Sequence, residues 1–221
     1  MCDNQVVNGE TKAGGCKFSP GATIHSSLLT TSPDAEYVIL RSEATVRVPD
    51  HVDAAKYAPI LCAGMTVFNS LRHMDVKPGE TVAVQGLGGL GHLAIQAAQR
   101  MGYRVVAISR GADKEAFARQ LGAHDYIDSS KEDAGEALRK LGGARLAMTT
   151  APTAEVMGTL LKGLGPMGKL LILSVPGEVP VNTGVMVSCS LGKAILGRQT
   201  ANAKTVEICP FGTILALWPR D

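Results

Sequence analysis

The residues with the clearest chemical meaning are six in a row, Gly86-Leu87-Gly88-Gly89-Leu90-Gly91. They follow the apolar run Thr81-Val82-Ala83-Val84-Gln85 and open a stretch of helical character. That is the one setting in which a G-x-G-x-x-G spacing has physical content. Gly86 permits a tight turn, Gly88 lets the backbone approach a pyrophosphate because it has no Cβ, and Gly91 lets the helix lie close on the strand. The amides of Gly89 and Leu90 then point at the phosphates, assisted by the positive end of the helix. The next strand, Tyr103 to Ser109, ends in Ser109-Arg110, where an acidic side chain would accept from the adenosine ribose and repel a 2′-phosphate. An uncharged serine beside a guanidinium favours NADP over NAD, with Lys114 as further support. The alternative is that Arg110 is a solvated loop cation.

The elements that must carry these residues are legible from Glu80 onward. Short β-branched runs alternate with helical stretches that stop at glycine, the rhythm of repeated βαβ units around a parallel sheet. Strands are expected at Thr81–Gln85, Tyr103–Ser109, Asp125–Ile127, Arg145–Thr149, Lys169–Ser174 and Lys193–Leu196. Helices are expected at Gly89–Met101, Asp113–Leu121, Lys131–Leu141 and Ala154–Leu164. Six such strands make an α/β, doubly wound parallel sheet, a Rossmann fold. Before Glu80, Tyr37–Leu40 reads as a strand, Val46–Pro49 as an extended piece and Leu61–Met74 as an apolar helix. Residues 16–34 show no period and read as loop or disorder. The apolar tail from Cys209 to Pro219 has neither strand alternation nor a helix cap.

Composition narrows the partners. The 221 residues are 45% apolar and 19% charged, and their 22 basic and 20 acidic side chains leave a net charge of +2 with no basic stripe or polybasic patch. That balance points to a small-molecule ligand and away from nucleic acid and membrane surfaces. No apolar run reaches the ~18 residues of a membrane span and the N-terminus has no signal-like segment, so a cytoplasmic location is expected. Five scattered cysteines without a C-x-x-C pair argue against a disulfide framework and a complete zinc knuckle.

Several segments resemble the zinc-dependent medium-chain alcohol dehydrogenases, in particular their microbial and cinnamyl-alcohol-type branches. They are Ala35-Glu36-Tyr37-Val38, the run from Ala58 to Val67 containing Leu61-Cys62-Ala63-Gly64-Met65-Thr66-Val67, Lys77-Pro78-Gly79-Glu80, the glycine motif with Met101-Gly102-Tyr103-Arg104-Val105, and Gly168-Lys169-Leu170. The resemblance implies hydride transfer between an alcohol or aldehyde and NAD(P)(H) on a Rossmann domain at residues 61–197, and Ser109, Arg110 and Lys114 make NADP the expected cofactor, with NAD less favoured. It implies a remnant of a GroES-like β catalytic domain at 1–60, with an irregular insertion at 16–34, and an atypical tail at 198–221.

By the same resemblance Cys62 matches one of three protein ligands of a catalytic zinc, and Cys2 the last of four cysteines around a structural zinc. Thr66 matches a threonine that lies against the nicotinamide, and Thr150, Ala151 and Val175 match positions lining the nicotinamide pocket. The partner ligands of both zinc ions have no match in this chain, so neither zinc is expected to be retained and no catalytic residue is assigned. A non-catalytic dinucleotide-binding module, or an unstable fragment of a faulty gene model, is the alternative. Pairing near the sixth strand in the family makes a homo-oligomer an expectation as well.

Overall fold

The computed structural model describes residues 16–19, 22–24, 53, 58–61, 63–174, 178 and 194–197. The chain divides into two units, residues 1–65 with 199–215 and residues 66–198 with 216–221. In the first unit, strands β1 (Cys16–Ser19) and β2 (Ala22–Ile24) pair antiparallel. This corrects the reading of 16–34 as loop or disorder over these residues: Cys16-Lys17-Phe18-Ser19 and Ala22-Thr23-Ile24 are too short to show a period, yet close a hairpin through their ladder. The extended pieces expected at 37–40 and 46–49, and the tail, lie outside the described residues.

The second unit is built on six parallel strands, β3 (Thr81–Gln85), β4 (Arg104–Ser109), β5 (Asp125–Asp128), β6 (Ala144–Thr149), β7 (Leu164–Ile172) and β8 (Ala194–Gly197). Their order across the sheet is β5-β4-β3-β6-β7-β8, so the chain winds outward from the centre twice. Each neighbouring pair is parallel. A central parallel strand is covered on both faces, which is why β3 and β4 are continuous apolar runs with Val82, Ala83, Val84, Val105, Val106, Ala107 and Ile108 all fully buried.

Helix α1 (Ala63–Arg72) precedes the sheet. Helices α2 (Gly89–Arg100), α3 (Glu115–Gln120), α4 (Ala134–Lys140) and α5 (Ala154–Leu160) connect its strands. One face of the sheet meets α4, α5 and the 3-10 turn after α5 in a core of Ala83, Val106, Ile108, Ala137, Leu138, Ala147, Leu160, Leu161 and Leu170. The alternate residues of β3 and β4 point to the opposite face, where α2 packs through Leu93, Ala94, Ile95, Ala97 and Ala98. Helix α2 stops where Gly102 takes φ 81° and its amide reaches back to the Gln99 carbonyl at 3.0 Å. Helix α4 starts later than its pattern suggests, because the Asp133 carboxylate accepts from the Gly135 and Glu136 amides at 2.9 and 3.0 Å.

Two further boundaries moved for identifiable reasons. The helix expected to reach Leu164 ends at Leu160, and a 3-10 turn over Leu161–Gly163 leads into β7. Strand β7 then begins at Leu164, ahead of Lys169, by tolerating a register irregularity opposite Ala144 to Leu146 and a left-handed Met167 at φ 56°. Such an interruption bends an edge-side segment without ending its pairing. Below the sheet, Lys169 ties the chain after α1 to β7, with Nζ 2.9 Å from the Met74 carbonyl and 3.1 Å from Asp75 Oδ2.

Candidate dinucleotide site

Strands β3 and β6 are neighbours whose following connections leave in opposite directions. Their carboxyl ends therefore splay apart, and open parallel sheets bind ligands in the crevice this creates. Here the crevice is a cleft of about 390 Å³. Its floor is Gln85, Gly86, Leu87 and Gly88 from the end of β3; Ser109 ends β4 and Arg110 and Lys114 follow it, Ser129 follows β5, and Thr150, Ala151, Pro152, Thr153 and Val156 follow β6.

The glycine turn is braced from both sides. The Gly86 amide donates to the Ile108 carbonyl at 2.9 Å, and the Thr150 amide to the Gln85 carbonyl at 2.9 Å. The Thr150 hydroxyl lies 3.0 Å from the Gln85 carbonyl oxygen and 3.3 Å from that of Gly86. Gly86 itself sits at φ 97°, and a Cβ there would come within 2.8 Å of the Thr150 hydroxyl and 2.9 Å of the Ala151 methyl. Gly91 lies beneath that turn, where a Cβ would collide with the Gly86 carbonyl. Both positions thus demand glycine for packing of the protein on itself.

Gly88 and Gly89 differ in kind. A Cβ at either would meet nothing within 4 Å. Gly88 is the N-cap of α2 and offers no side-chain oxygen to the helix's first amides. Those N–H groups have no intrahelical acceptor, and the usual Ser, Thr, Asp or Asn cap is missing. Exposed, uncapped amides at the positive end of a twelve-residue helix, with open space in front, fit the pyrophosphate of a dinucleotide. At the cleft floor, Gln85 Oε1 is buried with no hydrogen-bond partner among the described residues.

The other end of the cleft is set by the loop after β4. Arg110 and Lys114 are both exposed at the cleft mouth. Asp128, at the end of the adjacent β5, accepts from the Gly111 amide at 2.9 Å and from the Ser130 amide and hydroxyl at 3.0 and 2.6 Å. The Ser130 hydroxyl and amide, then the Gly111 amide and the Lys131 charge, hold the Asp128 carboxyl down at about 2. Tyr126 donates its hydroxyl to the Gly111 carbonyl. Burial raises the Tyr126 phenol above its ordinary value, with the carboxylates of Asp128, Asp113 and Glu115 adding to that and the Ser109 hydroxyl opposing it.

The structure therefore brings together Gly86, Gly88, Ser109, Arg110, Lys114, Thr150 and Ala151 around one cleft. Gly89 and Leu90 begin the helix at its edge, and Gly91 packs beneath. Thr66 is buried within α1 and does not line the cleft. Val175, Cys62 and Cys2 lie outside the described residues. Among the described residues, which do not include Cys62 or Cys2, no three His, Cys, Asp or Glu side chains converge. None of their helices is long and apolar enough to cross a membrane. Sequence reasoning missed Tyr126, Asp128 and Ser129. The Asp128-Ser129-Ser130 cluster closing a strand was the available signal, since such residues turn the chain through side-chain bonds to nearby amides.

A doubly wound sheet with a glycine-floored crevice at its switch point is the architecture in which dinucleotides are commonly bound. The zinc-binding dehydrogenase family model matches residues 89–207, and the chain belongs to that family. The chain is 60% identical over 188 residues to alcohol dehydrogenase patD of Aspergillus clavatus, covering 85% of this chain and 44% of that protein. It is 54% identical over 207 residues to alcohol dehydrogenase patD of Penicillium expansum, covering 94% and 55%. It thus spans about half the length of these curated relatives. Among solved structures, a putative alcohol dehydrogenase of Sinorhizobium meliloti 1021 superposes with TM-score 0.72 at 29% identity, covering 82% of this chain and 53% of that one. A cinnamyl alcohol dehydrogenase of Sorghum bicolor gives 0.66 at 25%, covering 76% and 48%.

Proposed function

We propose that the cleft binds NADP(H) in preference to NAD(H), as the cofactor site of an enzyme that passes hydride between an alcohol or aldehyde and the nicotinamide. The observation that carries this reading is the uncapped glycine turn of α2 opening onto a cleft whose other end presents Arg110 and Lys114. The amides of Gly89 and Leu90 hold the pyrophosphate. Arg110 pairs with the 2′-phosphate as a fork of donors and Lys114 adds a second charge. Thr150 braces the turn through its hydroxyl, and with Ala151 borders the path toward the nicotinamide. Residues 61–197 form the cofactor domain in this reading.

The named activity of the relatives supports the reaction class. When bound, a zinc ion with an open coordination position would lower the proton affinity of an alcohol oxygen. Cys62 is the family-matched candidate ligand. Within the described residues the chain's own contribution is to bind and orient the dinucleotide.

Thermal melts with each nucleotide test the binding. A ligand at about 100 times its Kd stabilises by ~2.7 kcal/mol, which for a chain of this size is a rise of roughly 5–11 °C. NADPH should raise the midpoint at concentrations where NADH does not. A shift by neither nucleotide would overturn the site. The reaction is tested by mixing the chain with NADP+ and a panel of primary alcohols, with zinc measured on the same sample. Binding without turnover would leave a cofactor-binding module and remove the proposed reaction.

A further inference from the structure

Arg110 is exposed, and its side chain has no hydrogen bond or ion pair among the described residues. A free guanidinium on a flexible loop would be a poor discriminator, because ordering it on each binding event costs side-chain and backbone entropy. The backbone around it is not free, however. The peptide plane before Arg110 is held by its Ser109 carbonyl, which accepts from the Ser129 amide at 2.9 Å and the Ser129 hydroxyl at 3.3 Å. The plane after it is held by the Gly111 amide, which donates to Asp128 Oδ1 at 2.9 Å. The following plane is held by the Gly111 carbonyl, which accepts from the Tyr126 hydroxyl.

Fixing the two planes that flank the Arg110 Cα, by way of Ser129 and Asp128, fixes both of its backbone dihedrals and the direction of its Cα–Cβ bond, and the Tyr126 bond to the plane beyond Gly111 keeps the second of these planes from turning. The conformation is also one that few residues besides glycine reach: Gly111 has φ 87° and ψ 143°, and a Cβ there would collide with the Asp113 carboxylate. All three braces come from the end of β5, which lies next to β4 in the sheet and pairs with it up to Ser109 and Asp128.

We propose that Tyr126 and Asp128 are positioning residues for cofactor choice: by clamping the Gly111 peptide they aim Arg110 at the 2′-phosphate of NADP(H). The inference rests on the proposed NADP(H) site. Its chemistry requires Asp128 to act as a hydrogen-bond acceptor that is already spoken for, and not as a free negative charge facing the phosphate. Three donors hold Oδ1, while Oδ2 is buried without a hydrogen-bond donor among the described residues and has its charge offset by Lys131 Nζ at 3.7 Å.

The test is the ratio of NADPH to NADH affinity, measured by nicotinamide fluorescence on the full chain and its variants. Tyr126→Phe removes one hydroxyl and Asp128→Ala removes the acceptor; each should contract the ratio roughly three- to tenfold through weaker NADPH binding, with NADH nearly unchanged. Asp128→Asn keeps an acceptor for the Gly111 amide and should recover much of the ratio. On an Arg110→Ala background, Tyr126→Phe should no longer alter it.

A merely structural role would weaken both nucleotides alike and leave the ratio intact, which would overturn the proposal. So would a ratio that widens in Asp128→Ala, the signature of a repelling carboxylate. If Asp128→Ala does not fold, Tyr126→Phe decides alone, since it keeps the ring and its packing. Collapse of the ratio in Arg110→Ala with no change in either clamp variant refutes the clamp and spares the site. A parent chain with no preference for NADPH refutes both.

Discussion

Gly88→Ala separates the two jobs that glycine does in this turn. Against the protein's own atoms the new methyl meets nothing within 4 Å, and Gly88 already has φ −93°, open to any residue. Alanine is a poorer N-cap than glycine, so the loss of stability should be up to about 1 kcal/mol and no more. In the complex the methyl stands where the pyrophosphate must approach the first amides of α2. Losing one hydrogen bond to a charged group costs about 1.5–3 kcal/mol, and ~2 kcal/mol corresponds to a Kd roughly 30 times weaker. Gly91→Ala should do the reverse. Its methyl collides with the Gly86 carbonyl and stands 2.8 Å from the Gly86 carbonyl carbon, an overpacking that costs about 1–3 kcal/mol and lowers the melting midpoint by roughly 2–4 °C per kcal/mol. Calorimetric titration with NADPH reads the first effect and melts without nucleotide read the second. A Gly88→Ala chain that binds like the parent would refute phosphate binding at this turn. One that melts well below the parent would refute the claim of open space.

Three further outcomes are expected. Asp133→Ala removes the acceptor of the Gly135 and Glu136 amides at the start of α4 and should destabilise the chain by about 1 kcal/mol in a denaturant titration; no change would mean that water replaces the cap. Leu138→Ala empties a fully buried position in the core between α4 and the sheet and should cost about 2–5 kcal/mol in the same assay, a smaller loss indicating that the face collapses around the gap. The affinity ratio of NADP+ to NAD+ should contract as pH falls from about 7 to about 5, because the second proton of a phosphate monoester binds near pH 6. Asp128 does not contribute to that change: its carboxyl is depressed to about 2, so its stabilising bonds are complete above its unfolded value of ~3.9 and are lost only as pH falls through its folded one. A ratio that stays flat to pH ~5 would contradict recognition of the 2′-phosphate.

The parts of the molecule legible in its sequence are those fixed by local rules. Strand β3, the glycine turn, α2 and β4 were readable because a fully buried parallel strand must be continuously apolar, and because Gly102 and Gly122 mark helix ends where φ turns positive. The cleft's floor follows from the same segment. What escaped depends on neighbours distant in sequence. Nothing near Leu164-Gly165-Pro166 announces a strand, and β7 begins there only because β6 offers a ladder that tolerates the irregularity. The hairpin of β1 and β2 escaped for another reason, since strands of four and three residues are too short to show a period. Asp128 and Tyr126 brace a glycine seventeen and fifteen residues away, a relation that exists once β5 is placed beside β4 and not before.

The central claim is that this cleft takes a nicotinamide dinucleotide and reads its 2′-phosphate through Arg110. Calorimetric titration of the parent chain and of Arg110→Ala with NADPH and with NADH tests it most directly. One-to-one binding, tighter for NADPH, with the preference reduced about tenfold or more in Arg110→Ala through loss of a charge-assisted pair, is the predicted result. Equal affinities for the two nucleotides in the parent chain, or no binding of either, would contradict it.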